Sequence, residues 1–203
     1  MNAKNKRFIL KNLNEKARFA SYENSFLWLK NAGVALPVYN VSEPKIPLLL
    51  STQRNLFKLF QNDVGLLSSQ FAGGIQLSIL SDSQSINFGA VYENFVAQEL
   101  KAHGFDLYYY NNKRLGELDF VVEHQGCVLP IAVKSGKDYD RHNALSNVMQ
   151  SKEYGIPKGL VLCNGNVSTD GNVVYMPIYM IMFLQRHQRV DVTYKLDLSD
   201  LKV

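Results

Sequence analysis

The chain has 203 residues, of which 46% are hydrophobic and 20% are charged, and its formal net charge at pH 7 is +4. These proportions are typical of a globular protein and exclude a disordered or fibrous architecture. The mildly basic charge permits contact with nucleic acid but does not argue for it. Six cations stand against one acid in the first 18 residues; a solvated face is the simpler interpretation of this segment, and an arm that contacts phosphates is the alternative. Two cysteines, Cys127 and Cys163, are too few for a disulfide framework or a zinc knuckle.

The first part of the chain, residues 1–70, is predicted to form a small winged-helix-like segment. Two short strands, over 36–41 and 56–60, follow a predicted amphipathic helix over 14–31, and that order is typical of half of a winged helix. The outward side of the helix is not basic, so a structural or partner-docking role is favoured over base reading. The apolar side chains that recur at helical spacing are Phe19, Tyr22, Phe26 and Leu29.

A second domain is predicted over residues 86–184, after a serine-rich link near 70–85, and residues 185–203 are predicted to be a C-terminal extension. Its pattern of apolar residues predicts the α/β class with a mixed sheet. The predicted elements in chain order are a helix (86–104), three strands (107–110, 117–123 and 128–134), a second helix (141–154) and a further strand (159–163).

Two neighbouring strands of this second domain carry the residues that point to chemistry. Side chains alternate along a strand, so Glu117 and Asp119 are expected on one face, and Ala132 and Lys134 on one face of the next strand. A hydrolase that uses a divalent metal would have an acid where Ala132 stands. The simpler interpretation is a semi-buried network of ion pairs.

The order of elements, with these residues at the matching places, resembles the PD-(D/E)XK superfamily, which has a restriction-endonuclease-like core. More closely, the chain resembles the C-terminal uncharacterised domain that follows an AAA-type ATPase module in many prokaryotic proteins. The ATPase module itself is absent, since the sequence has no Gly-x4-Gly-Lys-Ser/Thr loop. The segments that carry the resemblance are Trp28–Gly33, Asn62–Leu67, Tyr92–Val96, Glu117–Phe120 and Val133–Gly136.

The resemblance implies phosphodiester hydrolysis by water activated at one or two magnesium or manganese ions. Asp119 matches the first metal carboxylate of the family pattern. Lys134 matches the lysine that stabilises charge developing on the phosphate or orients the attacking water. Glu93 matches a helix carboxylate that supports the site.

Ala132 departs from the family pattern, because a methyl group cannot bind a cation. The backbone carbonyl of Val133 remains a possible ligand for a metal. Glu117, on the face of Asp119, and Glu93, on the facing helix, are candidates to supply the missing oxygen. The predicted metal ligands are therefore Asp119, Glu117 and Val133.

Three functions stay open on the sequence alone. The first is a catalytically impaired nuclease-fold module that binds nucleic acid or docks to an ATPase module or another protein. The second is an active nuclease that depends on magnesium or manganese, and the third is a structural interaction domain that uses its aromatic helix. A cytoplasmic location without a membrane partner is expected, since the longest apolar run, 173–184, falls short of the roughly 20 residues that cross a bilayer.

Overall fold

The computed structural model describes residues 7–12, 15, 18–71, 73–81 and 88–186. Within these residues, no helix is long and apolar enough to cross a membrane. The helices and strands in chain order are α1 (Phe19–Asn31), β1 (Ala35–Val41), β2 (Thr52–Gln61), α2 (Val64–Ser69), α3 (Ile75–Leu80), α4 (Phe88–Ala102), β3 (Tyr108–Asn112), β4 (Gly116–His124), β5 (Cys127–Val133), α5 (Asn143–Gln150), β6 (Gly159–Cys163), β7 (Ser168–Asp170) and β8 (Val173–Pro177). Short 3₁₀ helices span Leu10–Asn12, Leu48–Ser51 and Ile178–Phe183.

The strands form one mixed sheet in the order β2-β1-β3-β4-β5-β6-β8-β7. The predicted α/β class with a mixed sheet is confirmed. The predicted succession of helix, three strands, helix and strand is present as α4, β3, β4, β5, α5 and β6. The likeness of this core to a restriction endonuclease stays a prediction.

The two N-terminal strands belong to the same sheet. β1 pairs with β2 in the antiparallel sense and with β3 in the parallel sense, where Tyr39 lies opposite Tyr108. The predicted winged-helix segment is not confirmed, because its two strands extend the main sheet. The sheet thus continues across the predicted boundary between residues 1–70 and 86–184.

Parts of the predicted organisation lie outside the described residues. These parts are residues 1–6, 13, 14, 16 and 17 of the predicted N-terminal segment, residues 72 and 82–85 of the predicted link, residues 86 and 87 of the predicted helix, and residues 187–203 of the predicted extension. β2 begins at Thr52, four residues before its predicted start. Its first residues are polar because β2 is an edge strand, where one side of the backbone is not paired within the sheet.

Two hydrophobic clusters pack on the two faces of the sheet, and we name the faces after the helices that cover them. The α4 face buries side chains of α4 against six strands: Val96, Ala97, Leu100, Val38, Phe60, Tyr109, Phe120, Ile131, Val133 and Leu162. The α5 face buries side chains of α5 against the central strands: Leu145, Val148, Tyr110, Leu118, Val121, Ala132 and Val161. Successive side chains of β5 therefore alternate between the faces, as a pleated strand requires.

β4 does not follow that alternation along its whole length. Leu118 and Val121 both pack on the α5 face although they are three residues apart. The pairing of β4 with β3 shifts register at this point, between Tyr108 and Tyr110. A β-bulge of this kind places an extra residue in one strand. Asp119 thus lies at an irregular position, where a sequence pattern cannot assign its face.

Candidate functional site

A lysine that the sequence did not single out lies at the centre of the candidate site. Lys58 stands on β2, and its side chain is only 1% exposed. Its Nζ lies 2.6 Å from Oε1 of Glu117 and 4.0 Å from Oε2 of Glu93. The same Nζ lies 5.2 Å from the centre of the Tyr109 ring. A buried ammonium is tolerated only where nearby groups compensate its charge, and the two carboxylates and the aromatic ring supply that compensation.

The two carboxylates that meet Lys58 differ in exposure. The side chain of Glu93 is 2% exposed, on α4, whereas that of Glu117 is 31% exposed, on β4. The second oxygen of Glu117 accepts a hydrogen bond of 2.8 Å from Nδ2 of Asn111. The structure thus brings together two of the four predicted catalytic residues, and it places an internal cation with them.

The ionisation of Tyr109 depends on the same cluster. Burial, and then the charge of Glu117, raise the pKa of the Tyr109 phenol from 10.0 to about 12. A phenol with a raised pKa in the folded state favours folding below its unfolded pKa, and this contribution is lost as the pH rises toward 12.

Tyr109→Phe is expected to make the fold less sensitive to alkaline pH. Between pH 10 and about pH 12, the free energy of unfolding of the unaltered protein should fall by up to about 2 kcal/mol more than that of the variant. Urea titrations across this window measure the difference. Identical pH profiles would show that Tyr109 ionises equally well in the folded and unfolded chains.

Asp119 has a structural partner. Its side chain is buried, and its Oδ2 accepts the backbone N–H of Val133 at 2.8 Å. The N–H of Lys134 donates to Leu162 on β6 at 2.8 Å, so the N–H of the preceding residue points to β4. Regular pairing of β4 with β5 stops at Phe120. The Asp119 carboxylate therefore supplies the acceptor that the strand ladder lacks at this point.

Ala132 lies on the other face of the sheet from Lys58. It is 6% exposed and packs in the hydrophobic cluster of the α5 face with Leu118 and Val161. Glu93 and Glu117 meet Lys58 on the α4 face, the face of Phe60 and Tyr109. The structure therefore gives no support to the expectation that either acid replaces a carboxylate at position 132. Lys134 follows the end of β5 and is half-buried.

The described side chains do not fit a magnesium or manganese ion. Within the described ranges, no group of three or more His, Cys, Asp and Glu side chains is placed to hold a metal. Magnesium prefers near-octahedral oxygen ligands, but here an ammonium lies against Glu117 and a backbone amide binds Asp119. The catalytic and metal-binding roles therefore stay predictions for five groups: Asp119, Lys134, Glu117, Glu93 and the Val133 carbonyl.

Two polar residues of α4 close to Glu93 in sequence form hydrogen bonds to the end of β2 and the start of α2. Asn94, 2% exposed, accepts the N–H of Gln61 at 2.8 Å and donates to its carbonyl at 3.0 Å. Gln98 accepts the N–H of Val64 at 2.9 Å. The available sequence signal was the presence of polar residues inside an apolar helical stripe, which indicates buried hydrogen bonds.

The comparison with known proteins concerns the segment from α4 to the last 3₁₀ helix. Residues 88–181 match the family model of a domain of unknown function, DUF4143. The family is uncharacterised, and the match covers slightly less than half of the chain. No curated protein and no solved structure matches. The DUF4143 segment contains both acids of the cluster, whereas Lys58 comes from outside it.

Proposed function

We propose that this protein is a catalytically silent domain with a nuclease-like core, which acts by docking another protein. The observation that carries the proposal is the ion pair of 2.6 Å between Lys58 and Glu117, with Glu93 at 4.0 Å. In a metal-dependent nuclease, the carboxylates hold the divalent cation that activates water and stabilises the phosphate. In this chain, an internal ammonium takes up that negative charge.

Accessibility supports the same proposal. Glu93 and Asp119 are 2% and 1% exposed. A phosphodiester is strongly hydrated, and hydrolysis requires it to reach the metal and its carboxylates from solvent. Lys58 stands within a paired strand, between Phe57 and Leu59, so it cannot leave the cluster without disturbing β2. Both features favour a structural network over a reaction centre.

The exposed surface favours protein docking over nucleic-acid binding. Nucleic-acid binding depends mainly on clustered cations that meet phosphates, whereas contiguous exposed apolar side chains mark protein interfaces. Two consecutive pairs of large apolar residues, on α1 and on the 3₁₀ helix Leu48–Ser51, are at least half exposed: Leu27 and Trp28, and Leu49 and Leu50. An ATPase module is the partner that the family resemblance suggests, and it is part of this proposal.

We expect no metal-dependent cleavage of plasmid or single-stranded DNA by this protein. The reason is that Lys58, and not a divalent ion, neutralises the acids. Cleavage is followed on gels with magnesium and with manganese, and manganese binding is followed by electron paramagnetic resonance.

Asp119→Ala serves as the matched control for this experiment. Cleavage by the unaltered protein that the variant lacks, together with bound manganese, would contradict the proposal and revive the active nuclease. Equal cleavage by both proteins would identify a contaminating nuclease. Tight DNA binding that weakens steeply with salt would replace protein docking by nucleic-acid binding as the function.

A further inference from the structure

A groove of about 340 Å³ lies between α1 and the 3₁₀ helix Leu48–Ser51. Its volume is at the small end of ligand pockets, which suits one or two inserted side chains more than a large cofactor. Apolar and aromatic side chains from α1, from β1, and from Leu107 and the first residue of β3 form most of its surface: Phe19, Phe26, Leu36, Tyr39, Leu107 and Tyr108.

The apolar surface of the groove continues onto its rim. Leu27 is 50% exposed and Leu49 is 65% exposed, and both line the groove. Trp28 and Leu50, their neighbours in sequence, are 69% and 83% exposed. Large side chains left in water on both sides of an apolar groove are the arrangement that an inserted partner would bury.

The charges around the groove are predominantly positive. Three cations line it, from three different elements: Lys30, Arg54 and Lys101. Of the two acids in the lining, Asp106 lies 3.6 Å from the guanidinium of Arg186, outside this groove. The balance that remains is three cations against Glu23. An incoming group with carboxylates beside its apolar part would meet complementary charge.

We propose that this groove docks an apolar side chain carried on an acidic segment of a partner protein. The inference rests on the proposed docking function and gives it a place and a partner chemistry. The groove floor removes water from the inserted side chain, and the rim cations meet the flanking carboxylates. The apolar contact supplies affinity, and the charges supply selection against basic segments.

Anilinonaphthalene sulfonate, which has an apolar body and one anion, is the probe for this groove. N-phenyl-1-naphthylamine, which lacks the sulfonate, is the matched neutral probe. We expect Lys30→Glu/Lys101→Glu to lower the affinity for the anionic probe about five- to tenfold at low salt, and to leave the affinity for the neutral probe nearly unchanged. Leu49→Arg should lower the affinity for both probes. Equal affinity of the unaltered protein and the double variant for the anionic probe would overturn the proposal.

Controls separate the groove from general effects of charge and folding. Lys113→Glu/Lys152→Glu makes the same change of charge at two exposed lysines outside the groove lining, and it should leave both affinities unchanged. Far-ultraviolet circular dichroism verifies that each variant is folded. If the control pair weakens the anionic probe as much as the groove pair, net charge is responsible and the proposal fails.

Peptide competition and light scattering identify the kind of occupant. The peptide Glu-Glu-Leu-Phe-Glu should displace the anionic probe, and Lys-Lys-Leu-Phe-Lys should not. If the protein forms a homodimer that Leu49→Arg dissociates, a second copy of the chain occupies the groove. That result would overturn the proposal of an acidic partner segment. These results are independent of the nuclease assay, which can fail or succeed without changing them.

Discussion

Replacing Lys58 with methionine is expected to lower the free energy of unfolding by about 3 kcal/mol. Methionine retains most of the length of the lysine stem but removes the ammonium. The carboxylate of Glu93, 2% exposed, then stays in the interior without that counter-charge. The loss lies at the lower end of the range for broken buried ion pairs, because Glu117 is 31% exposed and water compensates part of its charge.

Urea unfolding at neutral pH measures this change, and Lys113→Met is the matched control. Lys113 is exposed, so its substitution should change stability by less than about 0.5 kcal/mol. Lys58→Met/Glu93→Gln should recover part of the loss, since it removes a buried charge together with its partner. A Lys58→Met protein as stable as the unaltered chain would show that the ion pair is dispensable, and the proposed function would lose its main support.

Asp119→Ala is expected to lower the free energy of unfolding by about 2 to 3 kcal/mol. The substitution leaves the N–H of Val133 without its carboxylate acceptor at a site where both residues are buried. Asp119→Asn should cost less, about half as much, because an amide oxygen can still accept that N–H. Thermal and urea unfolding of the two variants give the comparison.

The pair of Asp119 variants distinguishes a structural carboxylate from a metal ligand. If Asp119 were a metal ligand, both variants would bind the metal more weakly, but neither substitution would need to reduce the stability of the metal-free protein. Asp138→Ala, at an exposed aspartate, controls for the loss of one negative charge. If Asp119→Ala unfolds at the same urea concentration as the unaltered chain, the hydrogen bond to Val133 contributes little to stability. The structural role inferred for the Asp119 carboxylate is then wrong.

The helices and strands were largely predictable because each carries its own signal. The stripe of apolar residues along α4 specifies a helix, and Gly104, with φ +81, ends that segment where the sequence places its end. The turn Gln125–Gly126, with φ +51 and +75, joins β4 to β5, and a glycine between two strand patterns is a local signal of such a hairpin turn. Such signals depend on neighbouring residues, so they can be read from a single sequence.

The candidate site was only partly predictable because it depends on contacts between distant residues. A lysine in a polar edge strand is normally solvated, and nothing near Lys58 in sequence shows that α4 and β4 bring Glu93 and Glu117 to it. Strict alternation places Asp119 on the face of Glu117, but the bulge in β4 interrupts that alternation. The register between strands determines both the contacts of Lys58 and the face on which Asp119 lies. A local sequence pattern does not contain that register.

The parallel pairing of β1 with β3 has a consequence for shorter forms of this protein. β1 lies outside the segment that matches DUF4143, and it covers one backbone edge of β3. Without β1, main-chain groups of β3 would become an open template on which another chain could add a strand. Any protein built from the matched segment alone must close this edge in another way, by a substitute strand, by charge or by a second subunit.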